Sequence, residues 1–178
     1  MAELLAPTGA TGLAAVLRDP ERRQELEAWL PGYLADQRWF GGKARTLVDS
    51  AISGWVALDE VGSAALCAVT VRDADDQRTE HVIVLSEGEA GEIVEGLGNG
   101  PAALALYRCV FGGRLEGEGI AIVGQEGEPP AVLQARAMPG EQSNSSVVFD
   151  DREAAKLYRR LKWGPNPEIE MAQALAGG

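Results

Sequence analysis

Apolar and polar positions recur at two different periods along this chain, and the period changes with position. From GLAAVLRD through PERRQELEAWLPGYLADQR the spacing is helical, with Leu26, Trp29, Leu30 and Tyr33 on one face. Pro20 suits a first helical position. The Gly-Gly pair of QRWFGGKAR must end this helix, and Trp39 and Phe40 are placed to dock it on the next element of the chain. AISGWVALD, SAALCAVTVRD and TEHVIVLS then read as three β-strands, split by the turn-like DEVG and DADDQR. Connections this short favour antiparallel pairing, and Trp55 is the expected anchor of the first strand.

GEAGEIVEGLGNG is rich in Gly and Glu and predicts a boundary near its end. PAALALYRCVFGG predicts a helix opening at Pro101 and stopped by Gly112. GEGIAIVGQ, PAVLQARAM, SSVVFDD and EAAKLYRR predict four more strands, and GPNPEIEMAQALAGG a last helix. In that helix Asn166 fits the N-cap, Pro167 the first position, and Glu168 the first turn, where a carboxylate meets the positive end of the dipole. The resulting class is α+β in two packed parts. Residues 1–99 form a helix plus an antiparallel sheet, and residues 100–178 form the second part.

Composition narrows the function. Of 178 residues, 46% are hydrophobic and 24% charged, which is a globular balance. The formal net charge of −11 argues against generic binding to nucleic acid or to an anionic membrane, since both need a basic face. The acidity is uneven. The stretch from Glu87 to Glu128 is rich in Glu and Gly, whereas Lys156, Arg159, Arg160 and Lys162 cluster near the end. Cys67 and Cys109 sit in apolar runs without metal-type spacing, and read as buried free thiols. His81, the single histidine, lies in a strand-like run and is a poor metal ligand by itself. The first residues lack a basic region ahead of an apolar core, and no apolar run reaches membrane-span length, so a cytoplasmic location is expected.

The common phosphate motifs fail. In FGGKAR, Gln37 stands where a Walker A loop needs its first Gly, and Ala44 replaces the Ser or Thr. LGNGPAAL lacks the third Gly of a dinucleotide fingerprint. No Gly-x-Ser-x-Gly elbow is present, and a Ser/His/Asp triad would have only His81 to use. The C-terminal constellation is different. Gly140 to Ser146, GEQSNSS, is a short polar loop between two predicted strands, hence a hairpin tip whose small residues let backbone N–H groups approach a ligand. Read by itself, it is better explained as a solvated hairpin loop, and Lys156 changes that balance. Lys156 comes next on an apolar strand, where a half-buried lysine needs a carboxylate partner. Glu170, on the first turns of the next helix, is the expected partner, with Glu168 as the competing carboxylate nearer the helix start.

GEQSNSSVVFDD, AAKLYRRL and GPNPEIEMAQAL together resemble the bacterial maltokinases, relatives of the aminoglycoside phosphotransferases. WLPGYLADQRWFGGKAR resembles the segment that opens the cap subdomain of that family. The resemblance implies a cap packed on a partial protein-kinase-like N-lobe. It implies ATP-dependent phosphorylation of maltose or a related sugar, with Mg²⁺, in trehalose and glycogen metabolism. Gln142, Ser143, Asn144 and Ser145 would cover the ATP phosphates, Lys156 would grip them, and Glu170 would hold Lys156. The family's catalytic Asp, its Mg²⁺ ligands and its sugar pocket belong to a helical C-lobe. Residues 166 to 178 contain no Asp, so no catalytic residue is assigned in this chain. The chain is then expected to be the ATP-binding part of a longer enzyme, inactive alone, with the cap a candidate dock for a trehalose-converting enzyme. The alternative is a non-catalytic cap module that binds nucleotide weakly or docks a partner protein.

Overall fold

The computed structural model describes residues 12–40, 45–138, 143–162 and 164–176. Two helices open the fold, α1 (Leu13–Arg18) and α2 (Pro20–Asp36). Asp19 separates them and caps α2, its carboxylate accepting from the N–H groups of Glu21 and Arg22. Leu26, Leu30 and Leu34 recur every four residues and are buried, so one stripe of α2 faces the core.

Pro31 sits inside α2 and has no N–H for the carbonyl of Glu27 one turn earlier. That carbonyl accepts instead from Ser50 Oγ, 2.6 Å away on the neighbouring strand. The gap in the helix ladder is thus filled by the sheet it packs on.

The sheet is an antiparallel meander of β1 (Leu47–Ala57), β2 (Ala64–Asp73) and β3 (Arg78–Glu87). The three strands predicted from the sequence are present. The incomplete alternation of the first has a cause, a register shift between Ile52 and Gly54. A Cβ at Gly54 would lie 2.8 Å from the Glu118 carbonyl oxygen, so only glycine lets the 118 turn cross the strand there. β4 (Ile93–Glu95) pairs with the far end of β3, and β10 (Arg160–Leu161) pairs with the same strand at Glu80 and His81.

Both faces of this sheet are covered. Ala65, Cys67, Val69, Ile83 and Leu85 face α1 and α2. Leu66, Val82 and Val84, one position out of phase, face helix α3 (Gly100–Phe111). This is the period-two pattern of a strand with a core on each side, and it explains why the β2 run shows so few polar residues. Cys67 is fully buried, and Cys109 is half-buried; both are free thiols.

α3 begins at Gly100, one residue ahead of the expected Pro101, and passes directly into β5 (Gly112–Glu116). The GGRLE strand is absent from the sequence reading, because two glycines look like a stop. It pairs with β6 (Ala121–Glu126). A third sheet has the order β7 (Ala135–Ala137), β8 (Asn144–Phe149) and β9 (Glu153–Tyr158), all antiparallel. Val147 and Phe149 of β8 join the α3 core, so residues from both sides of the expected 99/100 boundary share one apolar cluster. Helix α4 (Pro167–Ala176) closes the described chain. The architecture is α+β with antiparallel sheets.

Ser50→Ala should cost about 1–2 kcal/mol, because it leaves the Glu27 carbonyl without its donor. Adding Pro31→Ala should recover most of that loss, since an alanine amide at position 31 can reclaim the carbonyl. Chemical denaturation of the two single variants and the double variant measures this coupling, and strict additivity would contradict it.

Candidate functional site

Strand alternation in the third sheet sorts the predicted residues onto two faces. Across β8 and β9, Asn144 lies opposite Tyr158, Ser145 opposite Leu157, and Ser146 opposite Lys156. Lys156, Tyr158, Asn144 and Ser146 therefore share one face. Ser145 and Leu157 share the other, which packs on the rest of the molecule. Met138 N donates to the Ser146 carbonyl, so β7 and β8 close up as a hairpin toward the polar loop. Ser143 immediately precedes β8, and Gln142 lies outside the described residues.

The expected pairing of Lys156 with Glu170 is replaced. Lys156 Nζ lies 2.9 Å from Glu168 Oε2, and the Tyr158 hydroxyl donates to the same oxygen at 2.8 Å. The ammonium also sits 5.2 Å from the centre of the Tyr158 ring. The reason is helical geometry. Residues two apart on a helix point about 200° away from each other, so one carboxylate of the pair can face β9. The cap sets which one. Asn166 Oδ1 accepts from Glu168 N, and the Asn166 carbonyl accepts from Glu170 N, which starts the helix with Glu168 turned to the strand. Donation from Lys156, then from Tyr158, holds the Glu168 carboxyl below its usual range.

Lys156 is also less covered than expected. Its side chain is 38% exposed, on a strand whose first four residues face solvent. The buried cation is Arg159, which is 1% exposed. Its Nη2 lies 2.7 Å from Glu95 Oε1, and its Nε donates to Ser145 Oγ at 2.9 Å. Its guanidinium stacks 4.4 Å over the Trp39 ring, and its carbonyl accepts from Val82 N. One side chain thus ties the end of the α2 segment, β4 and the polar hairpin together. Ser145 is committed to this clamp, on the face opposite Lys156.

Sequence reasoning placed Arg159 among a cluster of cations near the end of the chain and missed its role. The alternation of KLYRR offered a signal, since Leu157 and Arg159 fall on the inward side. Glu95 was hidden because GEAGEIVEGLGNG reads as a polar boundary rather than as a strand.

His81 lies against this clamp. Its ring is 4.9 Å from that of Phe40, and Nε2 is 3.0 Å from Thr79 Oγ1. Burial, then the charges of Arg160 and Arg159, push the imidazole down to about 4, so it is neutral in the folded chain at pH 7.

Residues 33–99 match the sequence model of a family described as the maltokinase N-terminal cap domain. The matched segment runs from Tyr33 in α2 through the meander to Asn99, ahead of α3. It contains Trp39, His81 and Glu95, so the cap-side partners of Arg159 fall within it. Arg159, Lys156 and Glu168 lie beyond it.

The unfolded chain takes up a proton on His81 below about pH 6.5, whereas the folded chain does so only near pH 4. Its contribution is therefore complete above pH 6.5 and lost as the pH falls from there towards 4, by roughly 2–3 kcal/mol. Denaturation of the chain and of His81→Gln at pH 7 and pH 5 should show a smaller acid loss in the variant. Equal losses would place the acid sensitivity elsewhere. Separately, Arg159→Met should destabilise by about 2–4 kcal/mol by stranding Glu95, and Glu95→Gln in the same chain should recover part of that.

Proposed function

We propose that this chain is the nucleotide-side part of a maltokinase-like enzyme, which uses ATP to phosphorylate maltose or a related sugar. The observation that carries this reading is the Lys156–Glu168 pair, set directly across from Ser146 on a hairpin sheet and beside a capped helix. The likeness of residues 33–99 to the maltokinase cap supports it from the other side of the clamp.

The chemistry rests on position and charge. ATP, when bound, supplies the phosphoryl group to be transferred. The ammonium of Lys156 is a point charge held by Glu168 and Tyr158, yet open to solvent on one side. It can meet a phosphate without leaving its anchor, and fixing it beforehand lowers the entropy lost on binding. Asn144, on the same face, offers an amide donor, and Ser143 leads into the strand. Ser145 acts differently, since its hydroxyl braces the hairpin against Arg159. Among the described residues no group of three or more His, Cys, Asp or Glu side chains gathers to hold a metal, and the Mg²⁺ of this reading would be held outside them. The sugar, and a trehalose-converting partner at the cap, belong to the same cytoplasmic reading.

The test is titration of the chain with ATP and Mg²⁺, by calorimetry or by displacement of a fluorescent analogue. Lys156→Ala removes a charge-assisted contact worth about 1.5–3 kcal/mol and should weaken binding ~10–100-fold. Glu168→Gln should weaken it less, and Glu170→Gln should leave it unchanged. ATP binding of equal strength in Lys156→Ala would overturn the assignment.

A further inference from the structure

A cavity of about 200 Å³ lies at the seam between the cap-like sheet and the polar hairpin. Trp39, Phe40 and Arg45, three residues of the RWFGGKAR stretch that the nucleotide reading leaves unused, close one side. Thr79 and His81 on β3, with Ser143, Arg159 and Arg160, close the other.

Its charge runs against that of the molecule. The chain carries −11 overall, yet three arginines line this cavity against one lining carboxylate, Asp73. Asp73 is already engaged, accepting from the N–H groups of Asp75 and Gln77 and from Arg45 Nη1. Arg159 is balanced by Glu95. Arg160 has no ion-pair partner among the described residues, so among them one positive charge remains uncompensated.

Hydrogen bonding is incomplete at the same place. Arg159 Nη1 and His81 Nδ1 are both buried and without a hydrogen-bond partner. A guanidinium nitrogen can only donate. If the Thr79 hydroxyl donates to His81 Nε2, the proton of the neutral ring sits on Nδ1, and this atom is a donor too. Leaving such groups unmet costs about 1–3 kcal/mol each, and a bound ion is one recognised remedy.

We infer that this seam cavity binds a phosphate group, either inorganic phosphate or the phosphate of a small sugar ester, through Arg159, Arg160, His81 Nδ1 and the hydroxyl of Ser143, with Thr79 holding the His81 ring in the donating tautomer. A tetrahedral oxyanion accepts at every oxygen, so it can meet several convergent donors and cancel the remaining charge. The volume falls below the roughly 300–1,000 Å³ of ordinary small-molecule pockets, which suits a phosphate and excludes an enclosed nucleotide. The site lies on the cap side of the hairpin, opposite to Lys156, and stands whether or not ATP binds there. Occupancy would fasten Ser143, and with it the hairpin, to the cap.

His81 is the only histidine in the sequence, so its ring gives one unambiguous set of signals in a nitrogen–proton NMR spectrum. The full chain is titrated with inorganic phosphate, and separately with glucose 1-phosphate, at matched ionic strength. Expected are a saturable shift of the His81 ring signals and a rise in melting temperature with each ligand. Arg160→Gln, a change at an exposed residue, should weaken both effects at least ~10-fold, and Lys156→Ala should leave them unchanged. Tighter saturation by glucose 1-phosphate identifies a sugar ester as the ligand, and equal saturation identifies the phosphate alone. No saturable His81 shift, a shift that persists in Arg160→Gln, or a shift abolished by Lys156→Ala would each overturn the site.

Discussion

A guanidinium withdrawn from water must find both charge and hydrogen-bond partners, and in this chain Arg159 finds them on three separate pieces of backbone. Glu95 supplies the counter-charge from β4, Ser145 supplies an oxygen from β8, and Trp39 supplies an aromatic face from the end of the α2 segment. These residues are up to 120 positions apart in the sequence, counted from Trp39 to Arg159. Without the clamp, the third sheet would touch the rest of the molecule mainly through the apolar cluster under α3. That cluster is non-directional and does not by itself fix the hairpin's orientation. The clamp, together with the Tyr107 hydroxyl of α3 that donates to Glu153 on β9, fixes it and sets which face of β8 and β9 is turned outwards.

The division of labour within KLYRR has the same origin. Lys156 and Tyr158 go to the outer face with Glu168, while Leu157 and Arg159 go inwards. Two cations three residues apart end in opposite surroundings, one on the open side of a sheet and one almost fully enclosed. Arg suits the enclosed role because its planar fork can serve an oxygen at each edge while its face stacks on an indole. Lys suits the outer one, as a compact charge on a flexible stem.

Much of this was legible in the sequence where a single periodicity controlled the outcome. The α2 stripe, the three strands of the meander and the Asn166 cap all come from local spacing and local hydrogen bonding. The parts that were not legible depend on long-range pairing. Glu95 lies in a run whose glycines mask a three-residue strand, and nothing nearby announces that a buried arginine will come to it from the far end of the chain. The choice of Glu168 over Glu170 turns on helix phase relative to β9, which spacing alone leaves open. Ser145 was read as one residue of a uniform polar loop. Its place one position out of phase with Lys156 gives it a bracing role instead.

The outer edge of β3 has a further consequence. Its backbone is met at one end by β4 and near Glu80 to Val82 by β10 and the Arg159 carbonyl. These two short segments cover an edge that runs through HVIVLS, a stretch of high β-propensity with no charge of its own. An uncovered edge of this composition is a template for adding a strand from another copy. Residues 159–161 therefore also serve as a guard against intermolecular sheet growth, and proteolytic trimming ahead of them would convert an internal sheet margin into a seed for aggregation.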